Sequence, residues 1–152
     1  MPMPTRLNHT MLRVRDPEAS LGFYRDTLGM ELVGRRDFPD AGFSLYFLSF
    51  PGTDTAEGVL ELTHNHGTEN DADFPGYHSG NSDPRGFGHI CITVDDLDRA
   101  VAGFDAAGWN VIERPESGAM RGLAFVEDPD GYWVEVVEHG RMQVVLRGQS
   151  GG

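Results

Sequence analysis

The sequence predicts an α+β fold made from two copies of one βαβββ module. Three observations carry this. Two runs, LNHTMLRV (residues 7–14) and HICITV (residues 89–94), alternate in polarity as half-buried strands do. Each is followed by an aspartate and then by apolar residues at helical spacing. The two stretches also keep step: His9 and His89, Val14 and Val94, Asp16 and Asp96, and Tyr24 and Phe104 all share one offset of 80 residues. The offset drops by one between Gly29 and Gly108, so the second copy loses one residue after its helix.

The elements follow in order. Asp16-Pro17-Glu18 reads as an N-cap with proline at the first helical position. Leu21, Tyr24 and Leu28 give that helix its apolar face, and Gly29 ends it. Three strands follow: MELVGRRDF, FSLYFLSF and GVLELTH. In the second copy Asp96 caps, Leu97, Val101 and Phe104 form the face, and Gly108 stops the helix. The strands WNVIE, LAFVED and YWVEVVE complete it. Leu45 and Phe47 match Leu123 and Phe125, and Glu61 matches Glu135. Such a module cannot bury both faces of its own sheet, so two must be paired. The modules are expected at 1–64 and 87–140. The polar, glycine-rich segment 65–86 joins them, and its length exceeds that of an idle hairpin connection. The tail, 141–152, carries a short apolar patch (Met142, Val144, Val145, Leu146) and a flexible end. DPDG, residues 128–131, reads as a tight turn rather than a calcium loop.

Composition narrows the partners. The 152 residues have a formal net charge of −12, which opposes binding to nucleic acid or to anionic membranes. No apolar run reaches membrane-spanning length, and the first residues lack the apolar core of a signal peptide. A single cysteine, Cys91, rules out an intrachain disulfide and fits a reducing, cytoplasmic setting. Its place in an apolar strand predicts a small buried hydrophobe.

Four polar side chains occupy equivalent points of the repeat: His9, Glu61, His89 and Glu135. Each histidine opens the first strand of its half, and each glutamate sits in the last. Glu61 lies between Leu60 and Leu62, and Glu135 between Val134 and Val136. Strand neighbours point to opposite faces, so each carboxylate stands alone on one face. Leaving it unpaired there costs on the order of several kcal/mol. A divalent cation would offset that. Two imidazoles and two carboxylates suit Zn²⁺, Ni²⁺, Co²⁺, Mn²⁺ or Fe²⁺, and six-coordination would leave positions for substrate. His64, His66 and His78 are read as non-ligands.

The segments LNHTMLRV, FSLYF, LELTHN, GNSDPRGFGHI and GLAFVEDPDGYWVE resemble glyoxalase I of the vicinal oxygen chelate superfamily, from about residue 7 to residue 140. The resemblance is to its longer, eukaryote-like form. It implies an eight-stranded curved sheet completed by paired modules. It also implies one divalent metal per active site, held by His9, Glu61, His89 and Glu135, with zinc preferred and nickel or cobalt as alternatives. The site would lie at a homodimer interface, His9 and Glu61 from one subunit and His89 and Glu135 from the other. Glutathione, the co-substrate, would be held by Arg13, Asn65, Arg85 and Arg114, the last on a looser local match. Phe38, Leu45, Phe47, Met120, Leu123, Phe125 and Met142 would line the pocket for the S-substituent. The implied reaction isomerises the glutathione–methylglyoxal hemithioacetal to S-lactoylglutathione through an enediolate. Glu135 would act as the base, and Glu61 would serve the other substrate face. Two positions depart from the family: His9 stands where the animal enzyme has glutamine, and His66 where a tryptophan commonly follows the His-Asn pair.

Rival readings keep the fold and change the chemistry. Extradiol dioxygenases and fosfomycin-modifying thiol transferases use related modules with two histidines and one glutamate, against which the fourth ligand and the NSDPRG loop speak. A drug-sequestering binding module would lack the ligand set altogether.

Overall fold

A computed structural model of the chain describes residues 3–117 and 122–147. The chain divides into two compact units, Met1–Tyr77 and His78–Gly152.

In the first unit β1 (His9–Val14) leads into α1 (Pro17–Leu21) and a π-helical turn, Gly22–Thr27. Then come β2 (Glu31–Phe38), β3 (Phe43–Ser49) and β4 (Val59–Asn65). The sheet order is β1-β4-β3-β2, with β1 parallel to β4 and the other pairs antiparallel. The second unit repeats this: β5 (His89–Val94), α2 (Leu97–Ala107), β6 (Val111–Glu113), β7 (Leu123–Glu127) and β8 (Trp133–Glu138), ordered β5-β8-β7-β6. Each ladder holds four strands, so the eight-stranded surface remains an expectation about assembly.

The caps form as the sequence dictates. Asp16 Oδ1 accepts from the amides of Glu18 and Ala19, and Asp96 Oδ1 from that of Arg99. The first helix differs from the simple amphipathic reading. It widens after Leu21, so that adjacent Phe23 and Tyr24 are both fully buried, edge to face at 4.9 Å, while Leu28 is only partly covered. A π turn rotates the buried face relative to a regular helix, which lets two large neighbours share the core. In α2, Leu97, Val101 and Phe104 are buried as the spacing predicts.

Alternation sorts each sheet into two faces. Leu12, Val14, Tyr46, Leu48, Leu60 and Leu62 are buried on the helix side of the first sheet. Ala124, Val126, Val134 and Val136 do the same in the second. The other faces carry the four repeat-related polar residues.

Two expectations need correction. Cys91 is exposed, because alternation puts it on the face of His89 rather than in the core. The tail is not merely an apolar patch: His139–Arg147 forms a helix, α3. Its Met142 packs against Leu123, Phe125 and Val137, while Val144, Val145 and Leu146 stay exposed.

The connecting segment is ordered at both ends. Arg15 donates to the carbonyls of Thr68 and Asp71, and the Thr68 hydroxyl returns a bond to Arg15 O. Ahead of β5, Asn81 Nδ2 donates to Gly88 O and the amide of Gly86 to Gly80 O. His78 Nε2 lies 2.9 Å from Pro84 O. Gly80 has φ of +89°, and a Cβ there would fall 1.8 Å from Phe87 O. Gly80→Ala is therefore expected to lose about 2 kcal/mol or more of stability, read by urea unfolding. A loss under a few tenths would show that the turn is not under this constraint.

Candidate functional site

Each unit builds one histidine–glutamate pair, and the two pairs are geometric copies. His9 Nε2 lies 2.9 Å from Glu61 Oε2, and His89 Nε2 lies 2.9 Å from Glu135 Oε2. The carboxylates are 13% and 15% exposed and the imidazoles 42% and 39%, so in each half the acid is sunk into the sheet face and the ring stands at its rim.

Register explains the match. His9 sits beside Val59 and Met11 beside Glu61 across the parallel pair β1–β4. His89 sits beside Trp133 and Cys91 beside Glu135 across β5–β8. On the other side of each glutamate the antiparallel neighbour is a phenylalanine, Phe47 for Glu61 and Phe125 for Glu135. Those rings meet the imidazoles edge-on, at 6.3 Å for His9–Phe47 and 5.1 Å for His89–Phe125. In-register neighbours share a face, so glutamate and phenylalanine form one row with Met11 or Cys91 on the open side of each sheet, and each histidine stands on the same face one row away.

The surroundings of the pairs differ. Asn8 Oδ1 lies 2.8 Å from His9 Nδ1, while the Asn8 amide nitrogen donates to Thr55 O. Its oxygen is thus the atom that meets the ring and accepts the hydrogen bond from Nδ1–H, which orients Nε2 toward the carboxylate. The Thr63 hydroxyl donates to Glu61 Oε1 at 3.3 Å. Gly88 and Val137 occupy the corresponding positions in the second half and offer no such groups. There Cys91 lies against Glu135. Partial desolvation against the sheet face first, and then the neighbouring carboxylate, push its thiol pKa up to about 11. Asn8 and Cys91 were not singled out for the site from sequence. The signal for Cys91 was available, since it stands two strand positions beyond His89; nothing in the sequence marks Asn8.

The donors fit a divalent cation. A nitrogen and an oxygen 2.9 Å apart match adjacent corners of a coordination shell with bonds of about 2.1 Å. Neither pair is sufficient by itself, and among the described residues no group of three or more His, Cys, Asp or Glu side chains could hold a metal.

The remaining expected site residues fall as follows. Arg13 is exposed on β1, on the face of His9. Asn65 ends β4 opposite Phe43. Phe38 stacks on Phe43 at 4.8 Å, and Leu45 and Phe47 line the same face. Leu123, Phe125 and Met142 come together with Trp133 beside Glu135. Arg85 is highly exposed, its Nε 3.7 Å from Asp83. Arg114 makes two bonds to Asp105 of α2, at 2.8 and 3.0 Å. Met120 lies outside the described residues.

The other histidines are engaged elsewhere. His64 is buried and pairs with Glu69 at 2.7 Å; backbone amides first, and then this contact, hold the Glu69 carboxyl below its usual range. His66 Nε2 lies 2.8 Å from the Ser44 hydroxyl, which donates to Asp37. The DPDG segment is a turn in which Asp128 Oδ1 accepts from the amides of Asp130 and Tyr132.

Comparison with known proteins fixes the family. Residues 6–136 match the family described as the glyoxalase/bleomycin resistance protein/dioxygenase superfamily. The chain belongs to that superfamily. Within the glyoxalase superfamily it is 54% identical over 145 residues to a lactoylglutathione lyase of Pseudomonas putida, covering 86% of this chain and 83% of the relative. It is 46% identical over 158 residues to a lactoylglutathione lyase of Pseudomonas aeruginosa, covering 95% and 85%. Among solved structures, the trypanothione-dependent glyoxalase I of Leishmania major superposes with a TM-score of 0.79 at 33% identity, over 95% of this chain and 94% of that one.

Proposed function

We propose that the protein is a lactoylglutathione lyase, isomerising the hemithioacetal of methylglyoxal and glutathione to S-lactoylglutathione. The observation that carries this reading is the pair of matched His–Glu couples, each with its nitrogen and oxygen 2.9 Å apart and each flanked by a phenylalanine. The relatives called lactoylglutathione lyase, at 54% and 46% identity, support the same activity.

His9, Glu61, His89 and Glu135 would hold one divalent cation, zinc by preference and nickel or cobalt as alternatives. The bound cation would supply Lewis-acid stabilisation of the negative charge that develops on the two substrate oxygens. The protein's own work is proton transfer and orientation. Glu135 takes the proton from C1 of the hemithioacetal and returns it to C2, so the product is an isomer with no net gain or loss of atoms. The choice of Glu135 rests on its neighbours. Glu61 is held by the Thr63 hydroxyl, a stronger donor than the Cys91 thiol beside Glu135. Glu135 is therefore the freer of the two to turn toward substrate, and Phe125 helps to exclude water from it. Arg13 and Arg85 would pair with glutathione carboxylates through charge-assisted bonds, with Asn65 adding an amide. Arg114 would have to leave Asp105 to join them.

Each unit owns half of the donors, so the site is proposed to form between two copies of the chain. A two-fold assembly makes two such sites, each using His9 and Glu61 of one copy and His89 and Glu135 of the other.

The first test uses Glu61→Gln and Glu135→Gln, assayed at 240 nm with methylglyoxal and glutathione. Each variant alone is expected to lose activity by at least about a hundred-fold. Co-refolded in equal amounts, they are expected to recover about a quarter of wild-type activity, because half of the dimers are mixed and each then holds one intact site. No recovery would place all four donors within one copy. Near-normal turnover by Glu135→Gln would remove it as the base.

Metal removal gives the second test. Purified protein is expected to hold about one divalent ion per chain, and chelation should abolish turnover until zinc, nickel or cobalt is restored. Asn8→Ala should weaken metal affinity by about ten-fold or more, because His9 loses the partner that orients its ring. Full activity in metal-free protein would exclude this chemistry.

A further inference from the structure

The open face of the first sheet carries a second arginine that the ligand set does not use. Three rows of side chains cross this face. The first is Met11, Glu61, Phe47 and Gly34, running from β1 through β4 and β3 to β2. The next is Arg13, Thr63, Leu45 and Arg36. The last ends in Asn65, Phe43 and Phe38. No bulge interrupts β2 between Gly34 and Phe38, so Arg36 shares the face of Glu61 and lies between the row of Phe47 and the row of Phe38. It stands at the far edge from Arg13, about 14 Å away across three strand spacings.

Its neighbour Arg35 shows the contrast. Arg35 is on the opposite face, donates to Asp37 at 3.0 Å and lies over the Tyr46 ring at 5.0 Å. Arg36 has no carboxylate partner among the described residues. It lines a groove of about 370 Å³ together with Asn8, Gly34, Phe47, Thr55, Val59 and Arg35, whose own guanidinium is engaged by Asp37 and Tyr46. Gly34, with no side chain, leaves a notch in front of the Phe47 ring, where a Cβ would sit 3.6 Å from the ring. The groove therefore reaches from Arg36 to Asn8 and Phe47, the two residues that touch His9.

We propose that Arg36 is a specificity-determining residue for the carbon side of the substrate. It would favour hemithioacetals whose 2-oxoaldehyde carries an anionic substituent, a carboxylate or a phosphate. The inference rests on the proposed lyase activity and extends it. Leu45, Phe47 and Phe38 surround Arg36, and these belong to the proposed wall around the S-substituent rather than around the tripeptide. In a chain of net charge −12 the surrounding field repels anions, so acceptance of an acidic substituent needs a local cation. A guanidinium at the end of an apolar wall supplies it, with the planar fork that suits carboxylate and phosphate.

The test compares the glutathione hemithioacetals of phenylglyoxal and 4-carboxyphenylglyoxal in wild type, Arg36→Leu and Arg36→Lys. The measured quantity is the ratio of kcat/KM for the acidic substrate to that for the neutral one, which does not depend on the fraction of folded protein. The ratio is expected to fall about ten-fold in the leucine variant and to be largely retained by lysine. A parallel measurement uses competition by S-benzylglutathione and S-(4-carboxybenzyl)glutathione for binding, with the same ratio read from the inhibition or displacement constants. An unchanged ratio in Arg36→Leu, in both turnover and binding, would overturn the assignment. Absence of turnover on either hemithioacetal by wild type would instead sink the lyase reading, and the binding ratio would still decide the role of Arg36.

Discussion

A carboxylate held at 13–15% exposure on a sheet face is the constraint on which the rest of this structure depends. Alternation forces it. Because Leu60, Leu62, Val134 and Val136 must enter the core, Glu61 and Glu135 must stand on the other side. An acid so placed is stable only beside a partner, and the register of the parallel strand pair brings an imidazole to 2.9 Å from each. The phenylalanine on the opposite flank keeps water from the same spot. Three demands on one small area of a sheet face thus leave little freedom in which residue types can fill it.

Duplication repeats the donors but not their environment. The first half holds its histidine through Asn8 and its glutamate through Thr63. The second replaces these with Gly88 and Val137, puts Cys91 beside the acid and adds Trp133 and the α3 residue Met142 to the apolar wall. One couple is fastened by hydrogen bonds and the other is set among apolar and weakly polar groups. On the proposed mechanism, that asymmetry would separate a positioning carboxylate from one free to exchange a proton. It arises within a pattern whose backbone register is the same in both halves.

Much of this was legible in the residues. The strand and helix order, the two aspartate caps and the four donors follow from period-two and helical spacing together with a fixed offset, all of which are local properties. Where expectation failed, the cause was context. The sequence face of Leu21, Tyr24 and Leu28 assumed a regular helix, and burial of Phe23 beside Tyr24 widened it. Cys91 looked like core because its neighbours are apolar, yet strand alternation turned it outward to Glu135. The tail became a helix because Met142 had an apolar site to cover on Leu123 and Phe125.

By itself the sequence determined the duplicated βαβββ order and the matched places of His9, Glu61, His89 and Glu135, because periodicity and matched spacing are written in residue order; the family was legible in its motifs. Only the tertiary structure decided which atoms meet. The 2.9 Å couples, the Asn8 contact to His9 and the row that joins Arg13 to Arg36 all depend on which residue of one strand faces which residue of the next. That choice is set by hydrogen-bond register between segments as far apart as His9 and Glu61, and no local pattern encodes it.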